Sequence, residues 1–189
     1  PPLLVETISP AAEQILNEAR VRYSYLCSTN AYNYKFDSCG NETYGITFLI
    51  DVFKNLKDSF LLISDPSGSY NAIFSRLHTN IPENVKFISD GGSYTEILKR
   101  VDFMIRATST DGDSVSIKEA LYFGNIVICS DVVDRPDDVV LYRFADKDDF
   151  AHSFKIAIKR KNDGYVNANV SIGANDMHEI YKKLINEDK

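Results

Sequence analysis

The chain has 189 residues, 44% of them apolar and 25% charged, with a net charge of −6. That is ordinary globular composition for one domain able to bury a core without disulfide or metal staples. It excludes intrinsic disorder, and no run of about 18 apolar residues offers a membrane span. The start, Pro1-Pro2-Leu3-Leu4-Val5-Glu6, has neither a basic n-region nor a long apolar core, so it does not read as a signal peptide. With no initiator Met, the expectation is a processed or excised fragment. Cys27, Cys39 and Cys129 are few, odd in number and scattered, and are expected to be reduced cytosolic thiols. Two sequons, at Asn41 and Asn169, fit a secreted glycoprotein less well than that reading does. An acidic chain lacks the basic stripe of a duplex binder. The one basic cluster, Lys155, Lys159, Arg160 and Lys161, suits a solvated helix C-terminus that complements the helix dipole. Nucleic acid is therefore not an expected partner.

In chain order the apolar pattern predicts alternating strands and helices. Residues 23–27 read as a short strand. Residues 44–56 carry Ile46, Phe48, Leu49, Val52, Phe53 and Leu56 at helical spacing. Residues 60–63 form a buried strand closed by a Pro- and Gly-containing turn. A short helix over 71–77, a strand over 85–88, a helix over 94–98 and a strand over 102–106 follow. A helix over 116–123 ends with Gly124 in the C′ role. Strands over 126–129 and 139–142, a helix over 148–159 and a last amphipathic helix over 174–185 complete the pattern. Such alternation implies right-handed crossovers and an α/β, Rossmann-like parallel sheet with helices on both faces. In such sheets ligands bind beyond the carboxyl ends of the strands, so informative residues should follow strands. Residues 1–20 read as a linker plus an N-terminal helix, and residues 21–189 as the ligand-binding domain.

The most site-like stretch follows the fourth strand-like run: Thr108-Ser109-Thr110-Asp111-Gly112-Asp113-Ser114-Val115-Ser116-Ile117-Lys118-Glu119-Ala120. A strand leads through a polar, Gly-containing loop into a helix, whose first amides and positive dipole end suit a phosphate or a sugar hydroxyl. Asp111 in the loop and Glu119 in the helix can face one pocket. Three other readings stay open. Asp111-Gly112 is a common turn dipeptide. Ser116-Ile117-Lys118-Glu119 has the spacing of a capping box. Asp111-Gly112-Asp113 has the D-x-D form that could hold Mg²⁺ or Mn²⁺ on a nucleotide diphosphate.

The stretch from Thr108 to Ser130 resembles the donor-binding segment of retaining GT-B glycosyltransferases of the E-x7-E type, group 1. Asp111 stands for the first Glu, Gly112 for the Gly after it, Glu119-Ala120 for Glu-Ala, Gly124 for the later Gly, and Val127-Ile128-Cys129-Ser130 for the closing strand. Val101-Asp102, Asn84-Val85-Lys86-Phe87, Pro136-Asp137 and the segment 146–150 fall in the same register, so the resemblance covers residues 20–187. It implies one half of a GT-B fold, the C-terminal donor-binding domain, with an acceptor domain as the missing partner. It implies transfer of a sugar, of the hexosyltransferase type, from an NDP-sugar to a polysaccharide, lipid-linked or protein acceptor. The fragment alone would then be folded but inactive.

Carried over residue by residue, Asp111 and Glu119 are the catalytic acids. Gly112, Asp113, Ser114 and Val115 contact donor sugar and phosphate, and Glu119 also holds the ribose. Phe87, Ile88 and Ser89 lie near the base. No metal and no cofactor besides the NDP-sugar substrate is implied. The location implied is cytoplasmic, with peripheral attachment at the inner membrane through the missing half. The sequence departs from the family at its phosphate-clamping cations. No Arg follows Cys27, and Tyr44 stands where the family has Lys. Lys35 and Arg135 are the expected substitutes. Two other classes remain: a non-catalytic or degenerate α/β nucleotide-binding module, and an epimerase-like half, whose characteristic His and Arg positions are not evident.

Overall fold

The computed structural model describes residues 7–112 and 114–165. Asp113, the first six residues and the expected helix over 174–185 lie outside the described residues. Six parallel strands, β1 (Tyr25–Asn30), β2 (Ser59–Ser64), β3 (Val85–Ile88), β4 (Phe103–Arg106), β5 (Ile126–Ser130) and β6 (Val140–Tyr142), form one sheet in the order β3-β2-β1-β4-β5-β6. This is the expected Rossmann-like α/β architecture, and its strand order reverses between β1 and β4. Every residue of β2 and β5 is buried, which is why both read as unbroken apolar runs rather than as alternating ones.

Helices cover both faces. On one face α2 (Ile46–Phe53), α3 (Ser69–Arg76) and α6 (Lys147–Asn162) bury Leu49, Phe53, Tyr70, Phe74, Phe150 and Phe154 against the sheet. On the other, α1 (Pro10–Arg22) and α4 (Tyr94–Leu98) meet Leu26, Phe60 and Leu62, while α5 (Val115–Tyr122) meets Met104, Val127 and Cys129. Helix α1 starts at Pro10 behind the Ser9 cap, whose hydroxyl accepts from the Ala12 amide at 3.1 Å. It runs past residue 20 and packs through Ala12, Leu16 and Ala19, so residues 10–22 belong to the packed body.

Two asparagines lock strand entries. The Asn84 amide donates to the Phe53, Leu56 and Ser59 carbonyls, and Asn125 donates to those of Leu98 and Val101, tying each strand entry to a neighbouring helix end and the turn after it. Asp102 precedes β4 rather than starting it. Its buried carboxylate accepts from Arg20, Lys161 and the Leu26 amide at 2.7–2.8 Å, joining α1, α6 and β1 at the amino end of the sheet. Burial opposes the charge of Asp102, but these donors outweigh it and hold its pKa below the ordinary carboxylate value. Three of the four cations in the basic cluster of α6 find partners in the fold. Lys159 pairs with Asp163, Lys161 with Asp102, and Arg160 reaches the Asp138 carbonyl.

β1 begins and ends later than the expected 23–27, and α2 is shorter than expected. Helical spacing over 44–56 predicts a longer helix, but the chain turns at Gly45, at φ +61. A Cβ there would stand 2.2 Å from the Ala107 carbonyl oxygen, so only glycine lets the start of α2 lie on the end of β4.

Candidate functional site

A cavity of about 380 Å³ opens at the carboxyl ends of β1 and β4, the point where the strand order reverses. Asn30 from β1, Arg106 from β4, Tyr94 from α4, and Asp111, Gly112, Ser114, Val115, Ser116 and Glu119 line it. Five of the residues expected from sequence therefore meet in one place. Glu119 faces the cavity from the second turn of α5. The capping-box reading of Glu119 fails on register: Ser114 is the N-cap and Ser116 already lies inside the helix, so Glu119 is too far along to reach back to a cap. Ser114 makes no side-chain cap bond; its hydroxyl pairs with that of Ser116 at 3.0 Å instead. Among the described residues nothing accepts from the Val115 and Ser116 amides, so α5 presents an open, electropositive start to the cavity.

Asp111 lies in the site, but its carboxylate is already engaged. Arg106 grips it with Nε at 2.9 Å and Nη2 at 3.2 Å, Arg135 donates Nη1 at 2.9 Å, and the Thr108 hydroxyl approaches at 3.3 Å. The side chains are 9% exposed for Asp111, 12% for Arg106 and 2% for Arg135. Burial works against ionised Asp111, but Arg106 first and Arg135 second outweigh it, holding the carboxyl below its usual range. Both oxygens face guanidinium groups, an arrangement that repels a divalent cation and disfavours the D-x-D metal reading at Asp111.

The cation of this site is Arg106, which sequence reasoning passed over because it ends an apolar strand run. Its Nη1 donates to the Asn30 side chain at 3.0 Å, and its guanidinium lies 5.7 Å from the centre of the Tyr44 ring. Lys35, an expected phosphate contact, is exposed and stands 5.6 Å from the same ring without lining the cavity. Arg135, the other expected contact, is buried behind Asp111 and donates to the Ser130 carbonyl and the Thr108 hydroxyl, so it too stays off the cavity wall. The three expected base contacts do not reach the cavity. Phe87 turns onto Phe74, with ring centres 5.8 Å apart, Ile88 is buried on the opposite face, and Ser89 is exposed beyond the edge strand. β3 is separated from the strand reversal by β2 and β1, which puts these residues at the sheet's margin. The aromatic wall of the cavity is instead Tyr94, whose hydroxyl meets that of Ser28 at 3.1 Å and whose phenol burial pushes up in pKa.

Neither buried thiol offers a nucleophile. Burial raises Cys27 and pushes Cys129 up to about 12. A second cavity of about 300 Å³ lies beside the first on the same rim, lined by Glu42, Gly45, Phe48, Ala107, Tyr142, Phe144 and neighbours. Among the described residues no helix is long and apolar enough to cross a membrane, and no cluster of His, Cys, Asp and Glu is suited to hold a metal ion.

No family model and no curated protein matches this sequence. The fold does match solved glycosyltransferases. HepE of Anabaena, solved with UDP-glucose, superimposes with a TM-score of 0.56 at 14% identity, over 86% of this chain and 46% of that one. A glycosyltransferase of Rickettsia africae gives 0.59 at 12% identity, over 94% and 52%. An α,α-trehalose 6-phosphate synthase of Burkholderia multivorans gives 0.60 at 10% identity, over 96% and 47%. These likenesses establish the shared fold. The chain spans about half the length of the structures it matches.

Proposed function

We propose that this chain is the nucleotide-sugar-binding half of a glycosyltransferase that moves a hexosyl group from a nucleoside diphosphate sugar to a polysaccharide, lipid-linked or protein acceptor. The observation that carries the reading is the convergence, in one cavity at the strand reversal, of three groups: the start of α5, where the Ser114 side chain makes no cap bond, the Arg106 guanidinium and the Glu119 carboxylate. Helix amides and a guanidinium suit a phosphate chain. A carboxylate one turn further along suits a ribose, because it can accept from two hydroxyls at once. Tyr94 supplies a flat wall for a base. The neighbouring structures solved with UDP-glucose and UDP support the choice of ligand class.

In this reading the bond between the sugar and the terminal phosphate breaks, and the nucleoside diphosphate departs carrying the charge. Arg106 and the α5 amides would stabilise that departure without a metal ion, with retention at the sugar carbon. The acceptor would come with a second domain, so the chain alone would bind donor and transfer nothing. A cytoplasmic setting, with attachment to the inner membrane through that second domain, belongs to the same reading.

Thermal melting of the chain with UDP-, GDP- and ADP-sugars tests it. A ligand at about 100 times its dissociation constant stabilises by about 2.7 kcal/mol. One of the three series should raise the melting temperature, and Glu119→Ala should abolish that rise. No rise with any sugar nucleotide, or with free UDP or GDP, overturns the proposal. A rise that survives Glu119→Ala removes the ribose role.

One observation favours a second reading, a nucleotide-binding module without catalysis: the start of α2 is filled by the chain's own Glu42, which accepts from the Ile46 amide at 2.8 Å and the Thr47 amide at 3.1 Å. Donor binding without sugar transfer when an acceptor domain is supplied would select that reading.

A further inference from the structure

The Arg106–Asp111–Arg135 chain of contacts has one end at the cavity wall and the other in the interior. Asp111 cannot bond a ligand with a free carboxylate, since Arg106 engages both its oxygens and Arg135 a third position around them. Arg135 is 2% exposed and cannot touch a ligand at all. A buried guanidinium is costly to desolvate, and among the described residues its charge partner is Asp111, with the Ser130 carbonyl and Thr108 hydroxyl as further acceptors. Arg106, by contrast, reaches the cavity and keeps a second Nη2 proton that no described residue accepts. Its plane is pinned from three sides: Asp111 along the Nε edge, Asn30 at Nη1 and the Tyr44 ring at 5.7 Å.

We propose that Arg135 and Asp111 are positioning residues for Arg106. They hold its guanidinium at the strand reversal so that the outer Nη edge reads a phosphoryl group of the bound nucleotide. The inference rests on the nucleotide reading above and names the group in this chain that recognises phosphate. Its physical basis is that an unsupported arginine side chain must give up rotamer freedom to bind an anion. A bidentate carboxylate fixes the rotamer before the ligand arrives. Arg135 in turn keeps Asp111 ionised and in place, so that the fork stays occupied. The two arginines and one aspartate sum to a single positive charge, enough to favour a phosphate over the bare nucleoside.

The experiment measures binding of uridine, UMP and UDP, with the guanosine and adenosine series in parallel, to the 189-residue chain by calorimetry. The readout is the ratio of nucleotide to nucleoside affinity, which a loss of general packing would lower for both ligands alike. In the unaltered chain the nucleotide should bind at least about tenfold tighter than its nucleoside. Arg106→Met should bring the ratio close to one. Asp111→Asn and Arg135→Met should each lower it by about tenfold while leaving nucleoside affinity within about twofold. Arg135→Lys, which keeps the charge and loses the fork, should recover part of the ratio. If Arg135→Met does not fold, the charge-neutral double variant Arg135→Met with Asp111→Asn carries the same expectation without a buried uncompensated charge. An unchanged ratio in Asp111→Asn and in the Arg135 variants overturns the positioning role and leaves the nucleotide reading standing. Failure of every nucleoside and nucleotide to bind the unaltered chain overturns both.

Discussion

Two helices begin at the carboxyl rim of the same sheet and end up with opposite fates. The start of α2 is closed from within: Gly45 lies against Ala107, and Glu42 folds its carboxylate onto the first amides. The start of α3 is closed in the same way by Asp65, which accepts from the Tyr70 and Asn71 amides, and that of α6 by Asp146. At the start of α5 no described carboxylate plays that part, and this start opens onto Arg106 and Glu119. A helix start attracts an anion wherever it lies, so what marks a ligand site is a start that the chain has left open.

The sharpest way to break this contrast is at the closed end. Gly45→Ala puts a methyl group 2.2 Å from the Ala107 oxygen and forces a left-handed conformation on alanine. It should cost about 3 kcal/mol or more, read by urea unfolding, because backbone cannot yield as a side chain can. A loss under about 1 kcal/mol would mean that α2 docks with slack.

A second test compares the aspartates on either side of β4. Asp102 at the amino end and Asp111 at the carboxyl end are both buried, and basic partners hold both below the usual carboxylate pKa. Asp102→Ala strands two cations and an amide, and should cost about 3 kcal/mol. Because the folded pKa values are depressed, the stability these groups supply is fully present above the unfolded value of about 3.9 and is lost as pH falls through the folded values. Stability should therefore decline below about pH 4, and Asp102→Asn should flatten that decline. A decline of unchanged steepness in the variant would assign acid sensitivity to other groups.

Glu42→Ala should cost about 1 kcal/mol, because it uncaps α2, whereas Ser114→Ala at the open start should cost under about 0.5 kcal/mol. Equal losses would erase the distinction between closed and open starts. The smallest expected effect is at Tyr142, whose buried hydroxyl finds no partner among the described residues. Tyr142→Phe should melt at or slightly above the unaltered chain, since it removes an unsatisfied polar group and keeps the ring stacked on Phe48.

Much of this was legible in the sequence. The apolar runs at 60–63 and 126–129 announced buried parallel strands, and the loop from Asp111 to Glu119 announced a strand-to-helix junction, because such signals lie within a dozen consecutive residues. The sequence also carried Asp111, Gly112, Ser114, Val115 and Glu119 to one place, since a single loop and helix turn hold them. What it could not supply was the role of Arg106. That residue closes a strand of Phe, Met and Ile, and its partner Asn30 is 76 positions away. Only the reversal of strand order between β1 and β4 sets them side by side. Arg135 was readable as a cation but not as a buried one, because its depth depends on how the loop after β5 folds back over Asp111. The same reversal displaced Phe87, Ile88 and Ser89 from the expected site, since β3 lies at the far margin. Periodicity along the chain determines each element, whereas the lateral order of strands, set by crossovers and by burial on both faces, decided which of their ends share a cavity.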